Sequence, residues 1–366
     1  MSINTPYYRY NLSVLDQVIN SCRDAGRHFN YNVHYAMKAN SNRTIIKKVL
    51  SKGLGIDAVS GWEIERALEM GCEPSKIVFA GVGKTDAEII FALEKGIGVF
   101  HIESIQELNV INNLAKKFNC NVSVALRLNP NIDPKTHPKI STGLLENKFG
   151  ISMQYFGKAI EELNRCQHLK WIGCHFHIGS QISDLRVFES VCDQVNILYS
   201  KHKDLSYLNL GGGLAVNYRD PTETPAFMEL FSRIHKRLNI NQDISVHFEL
   251  GRSIVANCGE LITSVLFEKK VGDRQTLIVD AGMNDLLRPA LYGAEHMIEN
   301  ISSQLELCEY EVVGPVCESS DVFSRKVAIN KASRGDLLVI KSSGAYGQVM
   351  ASQYNLRPLA KEIYLE

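Results

Sequence analysis

A lysine closes the run Val33-His34-Tyr35-Ala36-Met37-Lys38, in which Val33, Tyr35 and Met37 fall on one face of a strand and His34, Ala36 and Lys38 on the other. An amine shielded from water near other cations is a nucleophile toward carbonyl compounds, whereas a strand-end lysine in solvent is an ordinary surface charge. The choice rests on what else the chain places at its strand ends. These are Asp57, Arg127 with Asn129, His175-Phe176-His177 followed by Ser180, Gly211-Gly212-Gly213, and Glu249-Leu250-Gly251-Arg252. A glycine triplet after a strand lets backbone N–H groups approach an anion, and Ser180 and Arg252 add a hydroxyl and a guanidinium, although a triplet alone also reads as a tight turn. Alternation puts His247 and Glu249 on one face of their strand, opposite Val246, Phe248 and Leu250. A carboxylate aimed into a protein interior is costly unless it meets a cation or a protonated ring nitrogen. An amine nucleophile, an anion cradle, a flat imidazole and an inward carboxylate together make up the parts needed to hold pyridoxal 5'-phosphate. In that arrangement Lys38 attaches the cofactor and Glu249 keeps its ring nitrogen protonated.

The elements that must position these groups follow a strand-then-helix rhythm. Strand-like runs fall at 32–37, 55–60, 77–81, 99–103, 122–129, 171–179, 207–211 and 244–250, with amphipathic helical patterns between them. Three of those helices open with a capping-box spelling, Ser60-x-x-Glu63, Thr85-x-x-Glu88 and Ser104-x-x-Glu107. Eight regular units that close on themselves predict a TIM-like (β/α)8 barrel of the α/β class, whose chemistry gathers at the strand ends. After about residue 260 the pattern changes to short β-like runs, LITSVLFEKK, QTLIVDAG, YEVVGPV and GDLLVIKSSG. The expected division is therefore an N-terminal segment at 1–25 that partly joins the β domain, a barrel at 26–258 and a C-terminal mainly β domain at 259–366.

Forty basic and forty acidic residues cancel over the 366-residue chain, which speaks against nucleic acid or an anionic membrane as the main partner. No charged-then-apolar stretch opens the sequence and no run of about 18 apolar residues interrupts it. The nine cysteines form no CxxC pair, as suits free thiols in a reducing compartment, so a cytoplasmic location is expected.

YAMKAN, HFHIGSQ, LNLGGG, ELGR and GPVCESSD follow one another as in the fold-type III pyridoxal-phosphate decarboxylases, a family this sequence resembles over nearly its whole length. RLNPNIDPKTHPKISTGLLENKFGI and MNDLLRPALYGAEH are most similar to its diaminopimelate-cleaving branch. The resemblance implies a homodimer with active sites shared between chains. It implies that Lys38 holds the cofactor and His177 stacks on its ring. Ser180, Gly213, Leu250, Gly251, Arg252 and Tyr346 would contribute to the cofactor site, with Glu249 at the pyridine nitrogen. Cys317 would be a proton donor entering from the partner chain. Arg288 and Arg252 would take the substrate's far carboxylate, Glu318 its far ammonium, and Tyr292 and Tyr346 would add hydrogen bonds. Leu250 stands where the family usually has proline, which alters only the stiffness of that turn.

An arginine in the side pocket suits diaminopimelate, which carries a second carboxylate, and repels substrates whose far end is only cationic, so ornithine, lysine or arginine decarboxylation is the alternative. Two readings of other kinds compete. His175 and His177 are spaced as a metal pair but lack further convergent ligands and leave Lys38 unexplained. A non-catalytic carrier of the cofactor leaves Cys317, Glu318 and the β domain without a purpose.

Overall fold

The computed structural model describes residues 4–133, 143 and 147–366. The 134–142 and 144–146 portions of the long RLNPNIDPKTHPKISTGLLENKFGI motif lie outside the described residues. The chain forms two compact units, one of Ile19–Ala215 and Ala226–Gly251, the other of Met1–Val18, Val216–Pro225 and Arg252–Glu366.

The first unit is a closed barrel. Its eight parallel strands are Tyr31–Ala36, Gly55–Ala58, Ile77–Phe79, Val99–Ile102, Val122–Asn129, Leu169–His175, Tyr207–Asn209 and Ser245–Leu250, matching the eight runs read from the sequence. Each pairs with the next, and Ser245–Leu250 pairs with Tyr31–Ala36 to complete the circle. The strands are short and almost wholly buried, because helices cover the outside while side chains fill the inside. Alternation therefore separates two buried environments here, not core from solvent. On Ser245–Leu250, Phe248 points outward and packs on Phe231 of the helix Phe227–Arg237 at 4.5 Å between ring centroids. Glu249 points the other way.

The helix starts are capped with one variation on the expected scheme. Thr85 and Glu88 form a full capping box before Asp86–Lys95. Ser60 and Ser104 each accept from the backbone N–H three residues on, as expected. Their glutamate partners reach one residue further back, Glu63 to the Val59 N–H at 2.8 Å and Glu107 to the Glu103 N–H at 2.6 Å. These carboxylates brace the strand-to-helix turns at the barrel's C-terminal end.

In the second unit the long strand Gly259–Val271 is the hub, pairing antiparallel with Arg274–Val279, Leu337–Ile340 and Tyr7–Asn11. Tyr7–Asn11, the PYYRYN segment, also pairs in parallel with Lys361–Leu365. Leu307–Val313 lies between Arg274–Val279 and Val322–Asn330, and Ile298–Asn300 borders Leu337–Ile340. The C-terminal segment of this unit starts at Arg252 rather than at 259, and within it Ala256 and Gly259 accept backbone bonds from Gly344 and Ser343 at 3.0 and 2.7 Å.

Candidate active site

Strand Tyr31–Ala36 ends one residue before a 3-10 turn, Met37–Ala39, so Lys38 lies on the turn, not on the strand that the alternation extended through it. The turn is fixed by the Asn40 N–H to Met37 carbonyl bond at 3.0 Å and by the Tyr35 hydroxyl on the Asn40 carbonyl at 2.8 Å. Gly251 packs directly against it: a Cβ there would sit 3.0 Å from both the Ala36 carbonyl oxygen and Ala39 Cβ. Lys38, about one third exposed, donates from Nζ to Asp57 Oδ2 at 3.0 Å, and Asp57 is wholly buried. Burial, then the negative charge of Glu249, push the Asp57 carboxyl up, while Lys38 pulls it down. Asp57 was only a strand-end residue in the sequence reading. Its signal was a carboxylate in the otherwise apolar run GIDAVS.

Glu249 is buried inside the barrel. His101 Nδ1 approaches its Oε1 at 3.1 Å, His175 Nε2 approaches its Oε2 at 3.2 Å, and Asn209 Nδ2 donates to Oε1 at 2.9 Å. Burial alone would raise its pKa, but the two imidazoles outweigh burial and hold it well below the usual carboxylate range. Burial keeps His175 neutral, at about 4, although Glu249 pulls it upward. Among the described residues, then, Glu249 accepts one hydrogen bond, from Asn209, and has two imidazoles in close contact but no permanently charged cation as a salt-bridge partner. An ionised carboxylate so placed fits a group that brings its own positive charge, as a protonated pyridine does.

The glycine turn and His177 are joined. The Gly212 N–H donates to His177 Nδ1 at 3.1 Å and the Gly211 N–H to Asn209 Oδ1 at 2.8 Å. Two of the three amides are thus committed to side chains, leaving Gly213, at φ 117°, as the glycine of the cradle that neither takes. Gly212 admits no side chain, since a Cβ would lie 1.9 Å from the Glu249 carbonyl oxygen. Burial, followed by the charges of Arg127 and Lys38, keeps His177 neutral, well below the ordinary histidine value, as a flat uncharged ring. Ser180 is partly exposed, just beyond it.

The metal reading changes its members. Among the described residues the group with ligand-like spacing is His101, His175 and Glu249, whose ligand atoms all lie within 4.8 Å of one another, and it does not include His177.

The β unit brings together a second set. Arg252 Nη1 donates to the Tyr218 hydroxyl at 2.8 Å and its guanidinium lies 4.8 Å from the Tyr346 ring centroid. Arg288 lies 4.5 Å over the Tyr218 ring and meets His296 Nε2 through Nη1 at 2.7 Å. Burial, then the Arg288 charge, push His296 down to about 3, so its neutral ring accepts at Nε2 and donates from Nδ1 to the Lys341 carbonyl at 2.8 Å. Arg288 is 5 % exposed, has no carboxylate partner among the described residues, and its Nε is without a hydrogen bond. Its burial excludes a surface salt bridge and leaves a buried cation with no acidic partner among the described residues. Tyr292 ends the short helix Arg288–Tyr292. Tyr218 and His296 were given no role from sequence, although His296 sits inside the MNDLLRPALYGAEH motif.

Of the nine cysteines Cys317 alone is exposed. Its N–H meets Asn355 Oδ1 at 3.3 Å, and the neighbouring Glu318 accepts from the Tyr354 hydroxyl at 2.8 Å.

Residues 15–256 match the family model for the pyridoxal binding domain of pyridoxal-dependent decarboxylases. Diaminopimelate decarboxylase of Bacteroides thetaiotaomicron is 45 % identical over 98 % of this chain and 95 % of its own length. That of Helicobacter pylori is 42 % identical over 99 % of this chain and 90 % of its own. The crystal structure of the Helicobacter pylori enzyme complexed with L-lysine superposes with a TM-score of 0.93 at 40 % identity, over 100 % of this chain and 92 % of that one. A lysine/ornithine decarboxylase from Vibrio vulnificus shares the fold at a TM-score of 0.87 and 23 % identity, over 99 % of this chain and 94 % of that one. The chain belongs to the pyridoxal-dependent decarboxylases and takes pyridoxal 5'-phosphate as its cofactor.

Proposed function

We propose that the chain removes one carboxylate of meso-2,6-diaminopimelate to give L-lysine and CO2, the last step of lysine biosynthesis. The observation that carries the substrate choice is Arg288, a buried guanidinium with an unused Nε and no acidic partner among the described residues. It suits a far carboxylate, which ornithine and lysine lack. The relatives named diaminopimelate decarboxylase, 45 and 42 % identical over nearly the whole chain, support the same choice.

When bound, pyridoxal phosphate supplies a ring that takes up the electron pair left as CO2 departs. Lys38 would hold the cofactor covalently through Nζ, and Asp57, 3.0 Å from that amine, would accept the proton it must lose. Glu249, kept ionised, would hold a proton at the ring nitrogen, and neutral His177 would lie against the ring. Gly213, Ser180, Arg252 and Tyr346 serve the phosphate, with Leu250 and Gly251 shaping the turn beside Lys38. Arg288 and Arg252 grip the distal carboxylate, Glu318 the distal ammonium, and Tyr292 and Tyr346 hydrogen-bond to the substrate. Cys317 returns a proton to the carbon that lost CO2. Its exposure supports delivery to the partner chain's site in a homodimer, since a packing cysteine would be buried. Nine free cysteines accord with a cytoplasmic enzyme.

Borohydride reduction of the purified holoenzyme followed by peptide mass spectrometry tests the cofactor's attachment. The expected result is the reduced cofactor on the peptide containing Lys38; a reduced protein with Lys38 unmodified would refute it.

A further inference from the structure

The barrel interior holds a set of hydrogen bonds whose directions follow from one fixed donor. The Gly211 N–H can only donate, and it lies 2.8 Å from Asn209 Oδ1, so Asn209 turns its amide nitrogen the other way. That nitrogen has two hydrogens and two neighbours, Glu249 Oε1 at 2.9 Å and the Tyr207 hydroxyl at 3.0 Å. The Tyr207 hydroxyl therefore accepts from Asn209, and among the described residues its own proton has one remaining neighbour, His101 Nε2 at 3.0 Å. An imidazole that accepts at Nε2 carries its hydrogen on Nδ1, the atom in close contact with Glu249 Oε1 at 3.1 Å, though off the line of a regular hydrogen bond. Tyr207 is 4 % exposed and Asn209 and His101 are 0 % exposed, so bulk solvent does not reach these bonds. His101 and Tyr207 stand on barrel strands that are not neighbours and meet across the interior.

We propose that Tyr207, Asn209 and His101 are positioning residues, the Tyr207 hydroxyl selecting the His101 tautomer that presents Nδ1–H to Glu249 and so keeps this carboxylate aimed and ionised. The inference rests on the role of Glu249 toward the cofactor's ring nitrogen. With the other tautomer a nitrogen lone pair would face the carboxylate, and burial would then drive Glu249 toward its neutral acid, which cannot hold a proton on the ring.

Tyr207→Phe deletes one hydroxyl from the interior and leaves the ring that packs there. In histidine-15N-labelled holoenzyme, with the His101 signal assigned through His101→Asn, the ring should carry its hydrogen on Nδ1, and Tyr207→Phe should lower the share of that tautomer. The same variant should shift the acid limb of the kcat profile to higher pH and lower kcat about tenfold, with KM for diaminopimelate changed by less than about twofold. His101→Asn offers an amide N–H in place of Nδ1–H, so adding it to Tyr207→Phe should restore part of the lost kcat. His101 found with its hydrogen on Nε2 in the unmutated protein overturns the proposal. So does a Tyr207→Phe variant whose tautomer and acid limb stay in place while only its thermal stability falls. A protein that bound no pyridoxal phosphate would refute the Glu249 role instead, and the nitrogen spectrum, which needs no cofactor, would still decide the tautomer.

Discussion

Lys38 Nζ and Asp57 Oδ2 lie 3.0 Å apart, one on a turn and the other on the strand that pairs beside it. The pair couples the Lys38 amine to a buried carboxyl that burial has pushed up, a combination suited to taking a proton from an amine. Asp57→Asn keeps the shape and removes the base. Attachment of pyridoxal phosphate to the apoprotein, followed by visible absorbance at pH 7, should slow at least about tenfold. Attachment at the unmutated rate would leave Asp57 with a purely structural place.

The exposure of Cys317 makes assembly testable. Lys38→Ala and Cys317→Ala proteins should each be inactive, and mixing them under conditions that exchange subunits should restore activity. A hybrid dimer then contains one site with both native groups. Proven exchange without recovery would mean that Cys317 serves its own chain or does not donate the proton.

The barrel groups were legible to different depths. Lys38 and Glu249 could be read because a charge in an apolar strand-like run is costly unless it has work to do. The eight strands were legible because buried parallel strands are apolar throughout and evenly spaced. Tyr207 and His101 were not, since they are 106 residues apart and meet only when the barrel closes. In the β unit, Ile298–Asn300 is too short to show a period, and Val322–Asn330 exposes Arg325 and Lys326 in its middle, which breaks the alternation. Arg288 was assigned through its motif, and its burial, which no sequence pattern reveals, could not be read from it.

A buried pair of histidines should mark acid unfolding. His34 Nε2 lies 2.9 Å from His247 Nδ1, and burial, only partly offset by Glu249, keeps His34 neutral down to about 4. Between that value and the roughly 6.5 of an unfolded histidine, the unfolded chain binds a proton that the folded chain refuses. His34 therefore contributes its full stability above about 6.5 and loses it as pH falls toward about 4. Glu63 and Asp285, raised by burial to about 7 and about 6, act in the opposite sense. Comparison with a variant cancels them. Denaturant unfolding of His34→Gln should give a stability slope lower than the parent's by about 1.4 kcal/mol per pH unit in that window. Parallel curves would mean that His34 takes up its proton while folded.

The substrate assignment turns on Arg288, and the deciding measurement is CO2 release from diaminopimelate, L-lysine and L-ornithine by the unmutated enzyme and by Arg288→Met. Met keeps an unbranched side chain and removes the guanidinium. A charge-assisted contact to the far carboxylate is worth about 1.5–3 kcal/mol, so kcat/KM for diaminopimelate should fall roughly ten- to hundredfold. Bound cofactor should remain, and any slow turnover of L-lysine or L-ornithine should hold or rise slightly. Unchanged diaminopimelate turnover in Arg288→Met, or an unmutated enzyme that prefers L-lysine or L-ornithine, would contradict the assignment.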